Sequence, residues 1–238
     1  MTGHGLARTL SKWGYCSRSE AFKLIRSGRV TVDGRVVSDP EYRIGAPAPK
    51  VAVDGQSIAP FQRIYLMLNK PRGLVTTASD EKGRETVFDC FRAASLPHLS
   101  PVGRLDQASE GLLLFTNDTE WANRITAPES RLTKTYHVQV DRRVDEPFLD
   151  AMRNGVAVEG TVLAVRQVQV LREGEKNCWL EIVLDEGKNR QIRRILEALD
   201  TEVLRLIRIS IGSLALGNLA KGEWRHLSQE EVVQVAGS

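Results

Sequence analysis

Residues 101–126, PVGRLDQASEGLLLFTNDTEWANRIT, place a carboxylate, Asp106, ahead of a polar turn and an apolar run from Leu112 to Phe115. A short apolar run bounded by turn residues reads as a buried strand, here Gly111–Thr116, and the amphipathic segment Glu120–Ile125 reads as a helix behind it. A carboxylate in the loop feeding a buried strand is placed to open into a cleft. Alone it says little, because most loop aspartates cap a helix or a turn.

Outward from this stretch, strands and helices alternate without a strict βαβ rhythm. Ile64–Asn69, Thr135–Val140, Val162–Leu171 and Cys178–Leu184 read as further strands, and Glu146–Asn154 and Asn189–Leu199 as helices. The mixture predicts an α+β domain on a mixed, largely antiparallel sheet with flanking helices. Before it comes a smaller unit. Leu6–Trp13 reads as a short helix, and Ser17-Arg18-Ser19-Glu20 is a capping-box pattern opening a second helix. That helix turns Ala21, Leu24 and Ile25 inward, exposes Lys23 and Arg26, and stops at Gly28. Two hairpins follow, Val30–Val37 around Asp33-Gly34 and Val51–Ile58 around Asp54-Gly55. Ala46-Pro47-Ala48-Pro49 falls between strands, so the boundary is placed near Pro60, giving domains 1–60 and 61–238.

With 238 residues, 42% of them hydrophobic, the chain can build two cores. The opening MTGHGLARTL lacks the apolar stretch of an export signal, and no run is long enough to cross a bilayer. Cys16, Cys90 and Cys178 lie far apart without a CxxC pair, so neither a zinc site nor a disulfide framework is expected. The plain reading is a soluble cytoplasmic protein with reduced thiols, a monomer by default. The net charge of +3 is uninformative, but its distribution is not: residues 1–36 carry seven Lys or Arg against Glu20 and Asp33. A compact segment holding all the positive excess is an electrostatic footprint for a polyanion.

The run LARTLSKWGYCSRSEAFKLIRSGRVTVDGRVV resembles the alpha-L RNA-binding domain, first named from a small-subunit ribosomal protein. The resemblance implies that Arg18, Lys23, Arg26 and Arg29 face RNA phosphates, contacts that give affinity and orientation rather than sequence information. The stretch GRLDQASEGLLLFTND resembles the signature of the Rsu/Rlu-type ribosomal RNA pseudouridine synthases, and YLMLNKPRGLVTT their first catalytic-domain strand and turn. Two distant segments fit the same family. RLTKTYHVQV carries its Lys-x-Tyr motif in Lys134 and Tyr136, and DEGKNRQIRRILEALDTEVLRLIRISIG carries its basic helix and following strand.

This resemblance implies an isomerase that needs no metal or other cofactor, because the reaction only moves a base from a nitrogen to a carbon attachment. Asp106 is implied as the nucleophile, Tyr136 as the platform for the target base, and Arg193 as the partner holding the carboxylate ionised. Arg104, Lys134 and Arg190 are implied as RNA contacts, and ribosomal RNA or an assembling ribosomal subunit as the partner. Transfer RNA is an alternative substrate, and a noncatalytic RNA-binding or ribosome-assembly factor an alternative role. A carboxylate hydrolase would need a second acid near Asp106, for which Glu110, a variable turn position in the resembled family, and Asp118, a turn residue, are the candidates. His98, His137 and His226 show no spacing to a nucleophile.

Overall fold

The computed structural model describes residues 4–45, 47–59, 62–78 and 80–237. The boundary expected near Pro60 lies outside the described residues. Two compact units emerge, Met1–Tyr65 with Ala94–Ser100 and Phe115–Glu120, and Leu66–Ala93 with Pro101–Leu114 and Trp121–Ser238.

In the first unit, α1 (Leu6–Lys12) and α2 (Arg18–Arg26) pack on a four-stranded sheet of β1 (Val30–Val32), β2 (Arg35–Val36), β3 (Val51–Val53) and β4 (Gln56–Ile58), in the order β2-β1-β3-β4. The Ser17 hydroxyl accepts from the Glu20 N–H at 3.1 Å, which is the first half of the expected capping box. Leu6, Leu10, Ala21, Ile25 and Val30 are fully buried together. Both hairpins turn where expected, with Asp33-Gly34 and Asp54-Gly55 all at positive φ, the conformation that Asp-Gly supplies at least cost.

The second unit is built on a nine-stranded mixed sheet. Its main strands are β5 (Tyr65–Lys70), β6 (Glu110–Thr116), β7 (Lys134–Val140), β8 (Gln167–Glu173), β9 (Cys178–Leu184), β10 (Val203–Ile211) and β11 (Trp224–His226). They run in the order β8-β9-β7-β10-β6-β5-β11, with β6 and β10 parallel. Every residue of β6 is buried, as a near-continuous apolar strand requires. Helices α3 (Thr119–Thr126), α4 (Glu146–Asn154), α5 (Gln191–Ala198) and α6 (Gln229–Gly237) flank the sheet. Leu149 and Met152 of α4 and Ile192, Ile195 and Leu196 of α5 join Val138, Leu180, Ile182 and Leu206 in one core.

Three sequence expectations need adjustment. Val162–Leu171 is two strands, Thr161–Leu163 and β8, because Glu159-Gly160 turns at positive φ and pairs Thr161–Leu163 back on Val156–Val158. The helix expected from Asn189 begins at Gln191, because Arg190 adopts a left-handed conformation that no helix interior accommodates. Glu110 is the first residue of β6 rather than part of a turn. It is 2% exposed, gripped by Arg205 Nε and Nη2 at 3.0 Å each and by Lys221 Nζ at 2.5 Å.

Candidate active site

A cleft of about 900 Å³ opens in the second unit. Its lining includes Arg104 and Asp106 from the loop before β6, Lys134 and Tyr136 from β7, Arg190 and Arg193 at the start of α5, and Arg208 from β10. Residues separated by more than a hundred positions in sequence thus share one concavity, with the seven-residue group Asp106, Tyr136, Arg193, Arg104, Lys134, Arg190 and Arg208 supplying one acid and five cations. The four RNA-contact candidates Arg18, Lys23, Arg26 and Arg29 belong to the first unit and line no part of it.

The loop bearing Asp106 is braced by its backbone. The Ser109 N–H donates to the Asp106 carbonyl at 3.0 Å, closing a tight turn. The Thr76 hydroxyl donates to the Leu105 carbonyl at 2.7 Å, and the Gly73 N–H to the Gln107 carbonyl at 2.8 Å. Beneath lies Lys70, fully buried, whose Nζ donates to the carbonyls of Ser109 at 2.8 Å, Pro71 at 3.1 Å and Gln107 at 3.4 Å. Burial pushes this ammonium down to about 8, against the opposing pull of the Asp106 and Glu110 charges. Sequence reasoning missed Lys70. The available signal was a lysine ending an otherwise apolar strand directly before a proline.

The direct partner of Asp106 differs from the expected one. Arg190 Nη1 lies 3.3 Å from Asp106 Oδ2, whereas Arg193 Nη2 donates to the Ala108 carbonyl at 3.3 Å. The left-handed Arg190 stands at the N-cap of α5, a position from which its side chain reaches the loop. The Gln191 amide secures that helix start by donating to Glu186 Oε1 at 2.6 Å and to the Ala164 carbonyl at 2.8 Å. Arg193 sits deeper, and its guanidinium is lowered by burial and by the Arg190 charge while Asp106 acts in the opposite sense. Arg190 contacts the carboxylate, while Arg193, expected as its partner, is tied to the loop through the Ala108 carbonyl.

The chemistry open to other carboxylates is narrow. Burial would raise the Glu110 carboxyl, but hydrogen bonds from Arg205 and Lys221 outweigh it and leave it lowered. Glu110 and Asp118 do not line the cleft, and Asp118 accepts from the Glu120 N–H at the start of α3. Asp185 and Glu186 line the far wall, Glu186 held by Gln191 and by Lys188 at 3.0 Å. No histidine is among the lining residues, and among the described residues no group of three or more His, Cys, Asp and Glu is arranged to hold a metal ion.

The family model for RNA pseudouridylate synthases matches residues 64–198, which include the whole Asp106 loop, Tyr136 and the start of α5. The chain belongs to the RNA pseudouridylate synthase family. It is an isomerase acting on RNA, and residues 5–46 match a second model, the S4 domain. An Aquifex aeolicus protein described as an uncharacterized RNA pseudouridine synthase is 39% identical over 228 residues, 95% of this chain and 91% of that one. The Bacillus subtilis ribosomal large subunit pseudouridine synthase B is 34% identical over 230 residues, 95% of this chain and 93% of that one. A crystal structure of a pseudouridylate synthase superposes with a TM-score of 0.67 at 29% identity, covering 98% of this chain and 99% of that one.

In the S4 domain the four basic candidates are not equivalent. Arg29 grips Asp54 through Nε at 2.8 Å and Nη2 at 2.5 Å, joining the start of β1 to the second hairpin. Arg18 lies 3.7 Å from Glu41 and over the Phe22 ring. Lys23 and Arg26 are exposed on α2 without an ion pair among the described residues. Neutralising Arg18, Lys23 and Arg26 together should flatten the dependence of log K on log salt by about 2 units, from roughly 0.7–0.9 per lost phosphate contact. Arg29→Ser should instead lower the melting temperature. Filter binding across a salt series and a thermal melt separate the two effects.

Proposed function

We propose that this enzyme isomerises a specific uridine of ribosomal RNA to pseudouridine, with Asp106 as the nucleophile. The observation that carries the reading is the cleft that gathers Asp106, Tyr136, Arg190 and Arg193 from three distant segments into one concavity. Ribosomal RNA, or an assembling subunit, is favoured by the Bacillus subtilis relative, whose name specifies the large ribosomal subunit, and by the basic S4 domain. The target uridine is extruded from its stack and received on the Tyr136 ring, where a flat aromatic face supports any pyrimidine. Asp106 acts covalently or promotes a glycal, Arg190 orients it, and Arg104 and Lys134 meet the flanking backbone. Residues 1–60 clamp the RNA while 61–238 carry the chemistry, in a cytoplasmic monomer.

The test is a map of pseudouridines in ribosomal RNA from cells with and without the protein, repeated with purified protein on unmodified transcripts. One site lost in the deletion and restored in vitro is the expected result. Modification confined to transfer RNA would overturn the substrate assignment. Release of free uracil or cleaved RNA would overturn isomerisation in favour of hydrolysis.

A further inference from the structure

The floor of the cleft holds a cation that none of the roles above uses. Arg208 is 6% exposed and lines the cleft with Lys134 and Tyr136. Three features put it there. The pairing of β7 with β10 passes from Thr135 opposite Ser210 to Tyr136 opposite Arg208, so Ile209 is an extra residue at a bulge. Without it Ile209 would oppose Tyr136 and Arg208 would point to the other face of the sheet, because a one-residue slip reverses every side chain. Gly111 lies opposite Arg208 on β6 at φ +102°, and a Cβ there would stand 2.2 Å from the Arg208 carbonyl oxygen. Finally, Arg208 Nε donates to the Leu112 carbonyl at 2.7 Å.

What remains open is Nη2, which is buried without a hydrogen-bond partner. Arg208 makes no ion pair among the described residues, and its neighbour Lys134 is also a cation, lowered by burial and then by the Arg208 charge. Leaving a buried donor and its charge unmatched is unfavourable, so the position is one that a ligand completes.

The depth of the guanidinium identifies the atom it meets. Arg104, Arg131, Lys188 and Arg190 are exposed cations at the rim, suited to phosphates that stay hydrated. The group that travels furthest into the cleft is the extruded base, and the acceptors on uracil are its two carbonyl oxygens. We propose that Arg208 Nη2 donates a hydrogen bond to a carbonyl oxygen of the extruded uracil, holding the base beside Tyr136 and stabilising its negative charge while it is detached from the ribose. The inference rests on the isomerase reading above. When the C1′–N1 bond breaks, its electron pair stays with the base and spreads onto O2 and O4. When the C1′–C5 bond forms, the proton on C5 is lost and one is taken up at N1, so the sum is an isomerisation. Arg208 neither gives nor takes a proton; its hydrogen bond strengthens as charge develops, which lowers the barrier rather than the ground state.

The experiment places uridine, 2-thiouridine or 4-thiouridine at the target position of a synthetic RNA and measures single-turnover isomerisation by wild type, Arg208→Lys and Arg208→Gln. Sulfur accepts hydrogen bonds poorly. On uridine, Arg208→Gln should slow the reaction about 10²-fold with little change in RNA affinity, and Arg208→Lys should recover part of the loss. One of the two thio substrates should be slow for wild type yet no slower for Arg208→Gln than uridine is, since both changes delete one interaction. Equal penalties on all three substrates, or a loss residing wholly in RNA affinity, would overturn the proposal. So would a wild type indifferent to both sulfur substitutions, a result that needs no variant to fold. A wild type inactive on every RNA overturns the isomerase reading itself; an active one with additive losses overturns only the role of Arg208.

Discussion

Asp106→Asn is expected to lower pseudouridine formation at least about 10⁴-fold while leaving the melting temperature almost unchanged. The side chain is 39% exposed and its one ion pair among the described residues, to a half-exposed Arg190, spans 3.3 Å. A pair of this kind contributes at most about 1 kcal/mol to stability, and the asparagine amide is nearly isosteric with the carboxylate. RNA binding should also persist, since the proposed phosphate contacts lie on other residues. The combination of a folded, RNA-binding, inactive protein is what a nucleophile predicts and what a structural aspartate does not. Single-turnover assays on target RNA, with affinity measured beside them, give the answer. An Asp106→Asn protein within tenfold of wild type would return Asp106 to the role of a turn residue and leave the noncatalytic alternative standing.

The placement of that aspartate was legible because its surroundings were. The apolar run 112–115 has no polar interruption, so a buried strand was the only economical reading, and the loop before it had to lie at the strand's edge. Cys178–Leu184 and Glu146–Asn154 also match to the residue: the first alternates buried and half-buried side chains along its length, and the second opens on an Asp145 N-cap with Pro147 in its first turn. What escaped depends on three-dimensional detail that a period does not encode. A bulge at Ile209 reverses the facing of half of β10, and nothing in LRLIRISI marks it. The left-handed backbone of Arg190 exchanges the partner of Asp106 from Arg193 to a residue assigned to phosphates. Glu110 was discounted because it falls at a variable turn position in the resembled family, whereas Arg205 and Lys221, both about a hundred residues downstream, make its burial tolerable. Arg190, Arg208 and Glu110 are all charged residues whose partners are remote in sequence.

Lys70 belongs to the same class and carries the second large effect. Lys70→Met retains the volume and removes every donor, leaving the carbonyls of Pro71, Gln107 and Ser109 unmatched and Glu110 with one fewer neighbouring cation. Each buried carbonyl left without its donor costs about 1–3 kcal/mol, which together corresponds to a melting temperature lower by roughly 10 °C. At temperatures where the variant is folded, kcat should fall about 10²-fold, because a shift of about 1 Å in a catalytic loop has that effect. The pH dependence distinguishes the local role from simple destabilisation. Burial brings the Lys70 ammonium down to about 8 from the ordinary 10.5. Between those values the unfolded chain binds the proton and the folded one does not, so this group makes stability rise with pH across the window, not fall. Activity moves the other way. The neutral amine has two N–H groups for three carbonyls and withdraws positive charge from beneath Asp106, so the rate should decline as pH passes 8 while the melt shows no matching loss. In Lys70→Met that limb should vanish. A wild-type rate that stays flat well above pH 8, or a decline that persists in Lys70→Met, would mean that Lys70 supports the strand and not the catalytic loop.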